Sequence, residues 1–205
     1  TSKPVLYDLF CSAGGASAGY MQAGFEVWGI DNRLQPNYCG DRFIQMDALA
    51  FIEAVHAGVY PVPDCWHASP PCQKFTQMSA RWRGKGGKAD SHLDLLTPTR
   101  ALLTRFHQPW IIENVQGARN HMATTVVLHG GMFGLGVHRP RLFESNVMLL
   151  APSCSTRTVL PIGVYGTRPD GRTTYNYRTN GSMKGKILIR AARSIEEARE
   201  AMGIS

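Results

Sequence analysis

A cysteine and a glutamate stand out in this chain of 205 residues. Cys72 sits in Pro70-Pro71-Cys72-Gln73, just after the apolar stretch Asp64-Cys65-Trp66-His67-Ala68. The two prolines fix φ through the turn and bias Ser69 toward extended backbone, so the thiol is held on a stiff turn at a strand end. Open α/β folds bind ligands beyond such ends. The thiolate is the nucleophilic form of cysteine, and cations nearby favour it. The basic stretch that follows, with Arg81, Arg83, Lys85 and Lys88, supplies cations. Glu113 follows a second apolar run, Pro109-Trp110-Ile111-Ile112. A carboxyl there is either paired with an arginine or is an acid that keeps or shares a proton against a substrate, a role that partial burial favours. Together the pair points to covalent, nucleophilic catalysis. The alternative for Cys72, a buried inert thiol, is the expected state of Cys39 and Cys65.

Binding chemistry is concentrated earlier. Tyr7-Asp8-Leu9-Phe10-Cys11-Ser12-Ala13-Gly14-Gly15 is a short strand running into a glycine turn. Backbone at Gly14 and Gly15 can approach a ligand closely, and the helix that follows offers free N–H groups. Asp31, at the tip of the next strand and 16 residues after Gly15, is either a solvated strand terminus or an acid near the roughly 20-residue distance at which such residues bind ribose hydroxyls in dinucleotide folds. Asp47 is either an acceptor for an adenine amino group or an N-cap for the helix from Ala48. Arg139-Pro140-Arg141 is either a solvated basic turn or two guanidinium forks on one face of an extended segment, able to hold a phosphate and a carbonyl oxygen. Cys65, His67 and Cys72 lack the second ligand pair that a metal site would need, and no metal is expected.

Elements of α/β type must position these residues. Val5–Phe10, Phe25–Ile30, Asp64–Ala68 and Trp110–Ile112 read as strands, and Ala16–Ala23, Ala48–His56 and Leu93–Phe106 as helices. Strands alternating with helical patterns predict a doubly wound, mostly parallel, Rossmann-like sheet. Two segments break the rhythm. Phe75–Ser91 is rich in glycine and arginine and reads as a mobile basic loop around Trp82. Residues 151–186 read as short β-strands and turns around Arg168-Pro169-Asp170-Gly171-Arg172, a small β-rich insertion.

Composition narrows the class. Hydrophobic residues at 43% and charged ones at 18% suit one globular domain with a core. No run reaches the roughly 18 apolar residues of a membrane span. Thr1-Ser2-Lys3-Pro4 leads straight into a strand, and no signal peptide is expected. The net charge of +7 favours a polyanionic partner. Five cysteines without a C-x-x-C pair argue against a disulfide framework and for a reducing compartment.

The motifs, in order, resemble those of the DNA cytosine-5 methyltransferases. Asp8-Leu9-Phe10 with Gly14-Gly15 matches that family's first motif, with Ser12 where glycine is usual. Pro71-Cys72-Gln73 and Glu113-Asn114-Val115 match the second and third. Arg139 and Arg141 match the fourth, with Val137 in place of its glutamine, and Arg193–Arg199 resembles a late helix. The resemblance implies an S-adenosylmethionine-binding catalytic domain over 1–150, a target-recognition region over 151–187 and a returning helix over 188–205. It implies that Phe10 stacks on the cofactor, that Asp31 binds its ribose and Asp47 its adenine, and that Ser12, Ala13, Gly14, Gly15, Asn32 and Pro70 complete that site. Cys72 would attack C6 of a flipped-out cytosine, Glu113 would stabilise N3 and the amino group, and Arg141, beside Arg139, would contact O2. Gln73, the four cations of the basic loop, Arg168 and Arg172 would meet double-stranded DNA. The expected protein is a cytoplasmic monomer in a bacterial or phage-infected cell, within a restriction-modification setting.

Three other readings share these residues: methylation of a transfer-RNA cytosine, a catalytically silent nucleic-acid-binding protein on the same fold, and transfer of a different group such as carboxymethyl. The short insertion suggests a short or relaxed target site. The family's usual final segment is not in this sequence, which implies either a missing piece or a minimal enzyme.

Overall fold

In the computed structural model, residues 2–75, 93–137 and 139–153 are described, with the backbone of 162–163, 172–175 and 187–191. The chain divides into two compact units, Thr1–Val126 with Leu142–Leu149 and Val127–Arg141 with Leu150–Ser205.

A seven-stranded sheet carries the fold. Its strands are β1 (Val5–Leu9), β2 (Glu26–Asp31), β3 (Arg42–Gln45), β4 (Cys65–Ala68), β5 (Trp110–Val115), β6 (Thr125–Leu128) and β7 (Arg141–Ser145), in the order β3-β2-β1-β4-β5-β7-β6. β1 pairs in parallel with β2 and β4, β2 with β3, and β4 with β5. At the far side, Ser145 Oγ donates to the Trp110 carbonyl at 2.6 Å and the Trp110 N–H donates to Asn146 Oδ1 at 2.8 Å. The end of β7 therefore lies beside the start of β5, and β7 runs antiparallel to it. The doubly wound, mostly parallel sheet expected from the sequence is present, and the strand order reverses between β1 and β4.

The central strand is buried on both faces, as parallel sheets require: Leu6, Tyr7, Asp8 and Leu9 are all inaccessible. Tyr7 meets Phe51 and Trp66 edge-on, with ring centroids 5.2 and 5.3 Å apart. Among the described residues three α-helices accompany the sheet: α1 (Gly15–Gln22), α2 (Ala48–His56) and α3 (Leu96–Leu103). α2 buries Ala48, Phe51, Ile52 and Val55, a spacing of three, four and seven that puts one face on the core.

Three differences from the sequence reading have local causes. α3 is shorter than Leu93–Phe106, because Asp94 Oδ1 accepts the N–H groups of Leu96 and Thr97 and Oδ2 accepts the Thr97 hydroxyl, which starts the helix there. β5 runs on to Val115, so Glu113 lies within the strand rather than after it. β3, β6 and β7 were not anticipated. β7 is held by Glu144, a buried carboxylate that takes Arg100 of α3 through Nε at 2.5 Å and Nη2 at 2.7 Å, and the Ala123 N–H at 3.0 Å.

In the second unit a three-stranded sheet is ordered β8 (Ile162–Gly163), β10 (Ile187–Ala191), β9 (Arg172–Tyr175), with β10 parallel to β8 and antiparallel to β9. The β-rich insertion is thus present. The late helix expected around Arg193 and the loop from 76 to 91 fall outside the described residues.

Candidate active site

Parallel pairing brings the candidate residues to one edge. Ile44, Ile30, Leu9, Ala68 and Ile112 are level across β3, β2, β1, β4 and β5. Asp31, Phe10 and Glu113 follow that row directly. Pro70 and Cys72 lie just beyond it after β4, and Asp47 just beyond it after β3. The carboxyl ends of five strands therefore carry both the cofactor candidates and the nucleophile candidate, on either side of the point where strand order reverses.

On the β1–β2 side the backbone is strained. Phe10 has φ 60° and Ser12 φ 48°, left-handed values that cost an L-residue about 1–2 kcal/mol each. The glycine usual at the position of Ser12 has a physical reason in that angle. Asp31 holds the loop: its Oδ2 accepts the Ser12 N–H and its Oδ1 the Arg33 N–H, both at 3.0 Å. Each oxygen has a second lone pair for a ligand hydroxyl. The Asp31 carbonyl also accepts the Met46 N–H at 3.0 Å, which brings Asp47 to the same corner. Asp47 is the N-cap of α2, accepting the N–H groups of Leu49 and Ala50, both through Oδ1. That role leaves Oδ2 as its oxygen for a ligand. Ala13, Gly15 and Asn32 are exposed at this corner.

The two glycines differ. A side chain at Gly14 (φ 90°) would collide with Cys39 Sγ and the Tyr38 ring, at 2.9 and 3.0 Å, so its closeness is to the chain itself. Nothing lies within 4 Å of the corresponding position at Gly15, which heads α1 with no side-chain cap. Open first-turn N–H groups and a carboxylate with spare lone pairs form a donor and acceptor set that fits a nucleoside carrying a charged amino-acid tail. Cys39, expected to be buried, is exposed, and its Sγ donates to the Gly14 carbonyl at 3.0 Å.

Around Cys72 the turn is fastened from the neighbouring strand. Asn114 Nδ2 donates to the Pro70 carbonyl at 3.0 Å, and Asn114 Oδ1 accepts the Val115 N–H. Asn114 is buried, whereas Glu113 beside it, like Cys72, is half-buried. The Cys72 carbonyl accepts the Phe75 N–H at 2.8 Å, closing the turn. The ring of buried Phe75 lies 4.8 Å from that of His121, and any side chain at Gly117 would strike the Phe75 carbonyl. The 3-10 segment Gln116–His121 after β5 is thus a seat for the turn that carries Cys72. Burial, and then the charges of Asp8 and Asp31, push the Cys11 thiol up to about 12, and burial raises Cys65. Those two thiols are kept protonated.

Arg139 is exposed; Arg141 is half-buried and heads β7, its Nη1 donating to the Pro140 carbonyl at 3.1 Å. Both belong to the second unit, and Gln73 is exposed in the first. Arg81, Arg83, Lys85, Lys88 and Arg168 lie outside the described residues, and Arg172 is described as backbone of β9. The sequence reading gave no role to Asn114, nor to the buried Asp8, Ser17 and His67 and the half-buried Tyr38 that joins them. Among the described residues no helix is long and apolar enough to cross a membrane.

No protein-family model matches the chain. It is 34% identical to the Type II methyltransferase M.HgiGI of Herpetosiphon aurantiacus, over 55% of this chain and 90% of that protein. It is 35% identical to the Type II methyltransferase M.HgiDI of the same organism, over 55% of this chain but 37% of that protein. Against M.HgiDI, then, the chain spans little more than a third of the relative's length. Among solved structures it is similar to the S. pombe Dnmt2 methyltransferase, at 19% identity over 73% of this chain and 52% of that one, with a TM-score of 0.47.

Proposed function

The chain belongs to the Type II methyltransferases, and from that premise we propose that it methylates C5 of cytosine in double-stranded DNA, with S-adenosylmethionine as donor and Cys72 as nucleophile. One observation carries the finer assignment. Asn114, next to Glu113, hydrogen-bonds the Pro70 carbonyl, so the turn bearing Cys72 is tied to the strand bearing the acid.

Asp31 would hold the ribose hydroxyls of the cofactor and Asp47 its adenine amino group. Phe10 and Pro70 would pack on it, and Ser12, Ala13, Gly14, Gly15 and Asn32 would line its loop. When bound, S-adenosylmethionine supplies an electrophilic methyl group. Cytosine C5 is a weak nucleophile until the Cys72 thiolate adds to C6. That addition breaks the C5–C6 double bond and pushes its electron pair toward C5. Glu113, hydrogen-bonded at N3 and the amino group, and Arg141 at O2 stabilise the charge that develops on the ring. C5 would then take the methyl group, whose bond to the donor sulfur breaks to leave S-adenosylhomocysteine; a base would remove the C5 proton, the C5–C6 double bond would re-form, and Cys72 would leave as thiolate. The target atoms are stacked in the duplex, so the base must leave it. Arg81, Arg83, Lys85 and Lys88 are assigned to phosphates around the flipped base, and Gln73, Arg139, Arg168 and Arg172 to further DNA contacts, the last two from the region 151–187.

The test is covalent trapping. DNA carrying 5-fluorocytosine should form a complex that survives denaturant, because fluorine cannot leave as a proton does. Cys72→Ser should form none. Trapping that persists in that variant, or moves to Cys65, would remove Cys72 from the role.

A further inference from the structure

Four polar side chains of the first unit, three of them buried, form a chain beside the glycine turn. His67 Nδ1 of β4 lies 2.9 Å from Asp8 Oδ1 of β1, and Ser17 Oγ of α1 lies 2.5 Å from Asp8 Oδ2. Ser17 Oγ is also 3.1 Å from the Tyr38 hydroxyl. Asp8, Ser17 and His67 are 1%, 0% and 3% exposed. The direction of the bonds follows from valence. A carboxylate only accepts, so Ser17 gives its single proton to Asp8 and His67 donates from Nδ1. Ser17 Oγ then has only lone pairs to offer, and Tyr38 must be the donor. The phenol is suited to that: burial raises its pKa well above the ordinary value.

The Tyr38 ring sits in a socket made of glycines. A side chain at Gly29, in the middle of β2, or at Gly40 would overlap it, and one at Gly14 would touch it. Glycine inside a strand marks a close approach, and here the object approaching is this ring. Beside it, the Cys39 N–H donates to the Ala13 carbonyl at 3.3 Å and Cys39 Sγ to that of Gly14. The segment after β2 is therefore laid along the glycine turn, and Asp31, at the start of that segment, holds the same turn through Ser12.

We infer that Tyr38 is a positioning residue for the cofactor: through Ser17 and Asp8 it fixes the glycine turn against the segment that follows Asp31. The inference rests on the methyltransferase reading, because the ligand it serves is S-adenosylmethionine. None of the four side chains needs to touch that ligand. The buried chain sets the shape of the turn, and the shape sets the affinity.

Tyr38→Phe is the direct test, since it keeps the ring in its socket and deletes only the donor. Calorimetry with S-adenosylmethionine and with S-adenosylhomocysteine should give affinities lowered roughly three- to ten-fold, the worth of one hydrogen bond. Turnover at saturating cofactor should match the parent, so the loss falls on KM. Ser17→Ala, which also removes the donor to Asp8, should lose at least as much, and the double variant no more than Ser17→Ala alone, because the groups act as one unit. Tyr38→Phe with parental affinity for both ligands overturns the inference, as does a KM unchanged while kcat falls. Additive losses in the double variant would also overturn it. A parent protein that binds neither ligand would instead sink the methyltransferase reading itself.

Discussion

Ser12 carries a side chain at a left-handed φ of 48° in the turn after β1, where it and Ala13 are exposed. The strain costs about 1–2 kcal/mol, and glycine there would cost roughly 0.5–1 kcal/mol in backbone entropy. Ser12→Gly should thus raise stability by about 0.5 kcal/mol, and the β-branched Ser12→Val should lower it by more than about 1 kcal/mol. Urea unfolding measures both, and a valine variant as stable as the parent would mean the angle is not maintained. Asn114→Ala strands the buried Pro70 carbonyl and the Val115 N–H, at about 1–3 kcal/mol. It should slow methyl transfer more than it weakens cofactor binding, because it loosens the turn of Cys72 and not the β1–β2 corner. Single-turnover kinetics beside calorimetry would separate the two, and equal losses would count against Asn114 as the fastener. The positions of Cys72, Glu113 and Asp31 near one edge of the sheet were legible because each follows an apolar run, although Glu113 lies within β5 and not after it. Tyr38, Ser17, Asp8 and His67 were not, because each has a bland reading alone and they meet only after three strands pair. The signal that could have found Tyr38 was Gly29, a glycine in the middle of the apolar run Val27–Ile30 of β2.

At the scale of elements, a buried ion pair joins β7 to α3, in addition to the bonds of Ser145 and Asn146 to the start of β5. Glu144 is 2% exposed and Arg100 neutralises it with two bonds while a third goes from Arg100 Nη2 to the His121 carbonyl at 2.6 Å. Removing one partner of a buried pair costs about 3–5 kcal/mol. Arg100→Met should lose that much, and pairing it with Glu144→Leu should recover most of it; denaturant titration of the three variants reads the difference. A single variant within about 0.5 kcal/mol of the parent would contradict the burial of the charge. The same pair explains why β7 was invisible in the sequence. Its inward residues are Leu142 and Glu144, and a charged residue cancels the alternation that marks a strand. The charge becomes acceptable only through an arginine 44 residues away. α2 was read correctly to the residue because its apolar spacing is unbroken and Asp47 caps it. α3 was overread because Leu93 and Phe106 continue the pattern past the ends that Asp94 and the final turn impose.

For the whole molecule, the net charge of +7 is the quantity that a DNA partner would feel. Each phosphate contact adds about 0.9 to the slope of log affinity against log salt. Replacing Arg81, Arg83, Lys85 and Lys88 by alanine should flatten that slope by roughly two to four units and slow methylation of the same duplex. Coincident slopes and equal rates would move the DNA-binding face elsewhere, toward Arg168 and Arg172. The assignment of all these parts depends on what the chain does to its substrate. Duplex DNA incubated with the protein and S-adenosylmethionine, digested to nucleosides and resolved by mass spectrometry with isomer standards, measures that directly. The account predicts 5-methyl-2′-deoxycytidine, absent with Cys72→Ser. Methyl on the cytosine amino group or on adenine, or product that persists in the Cys72→Ser variant, would contradict it.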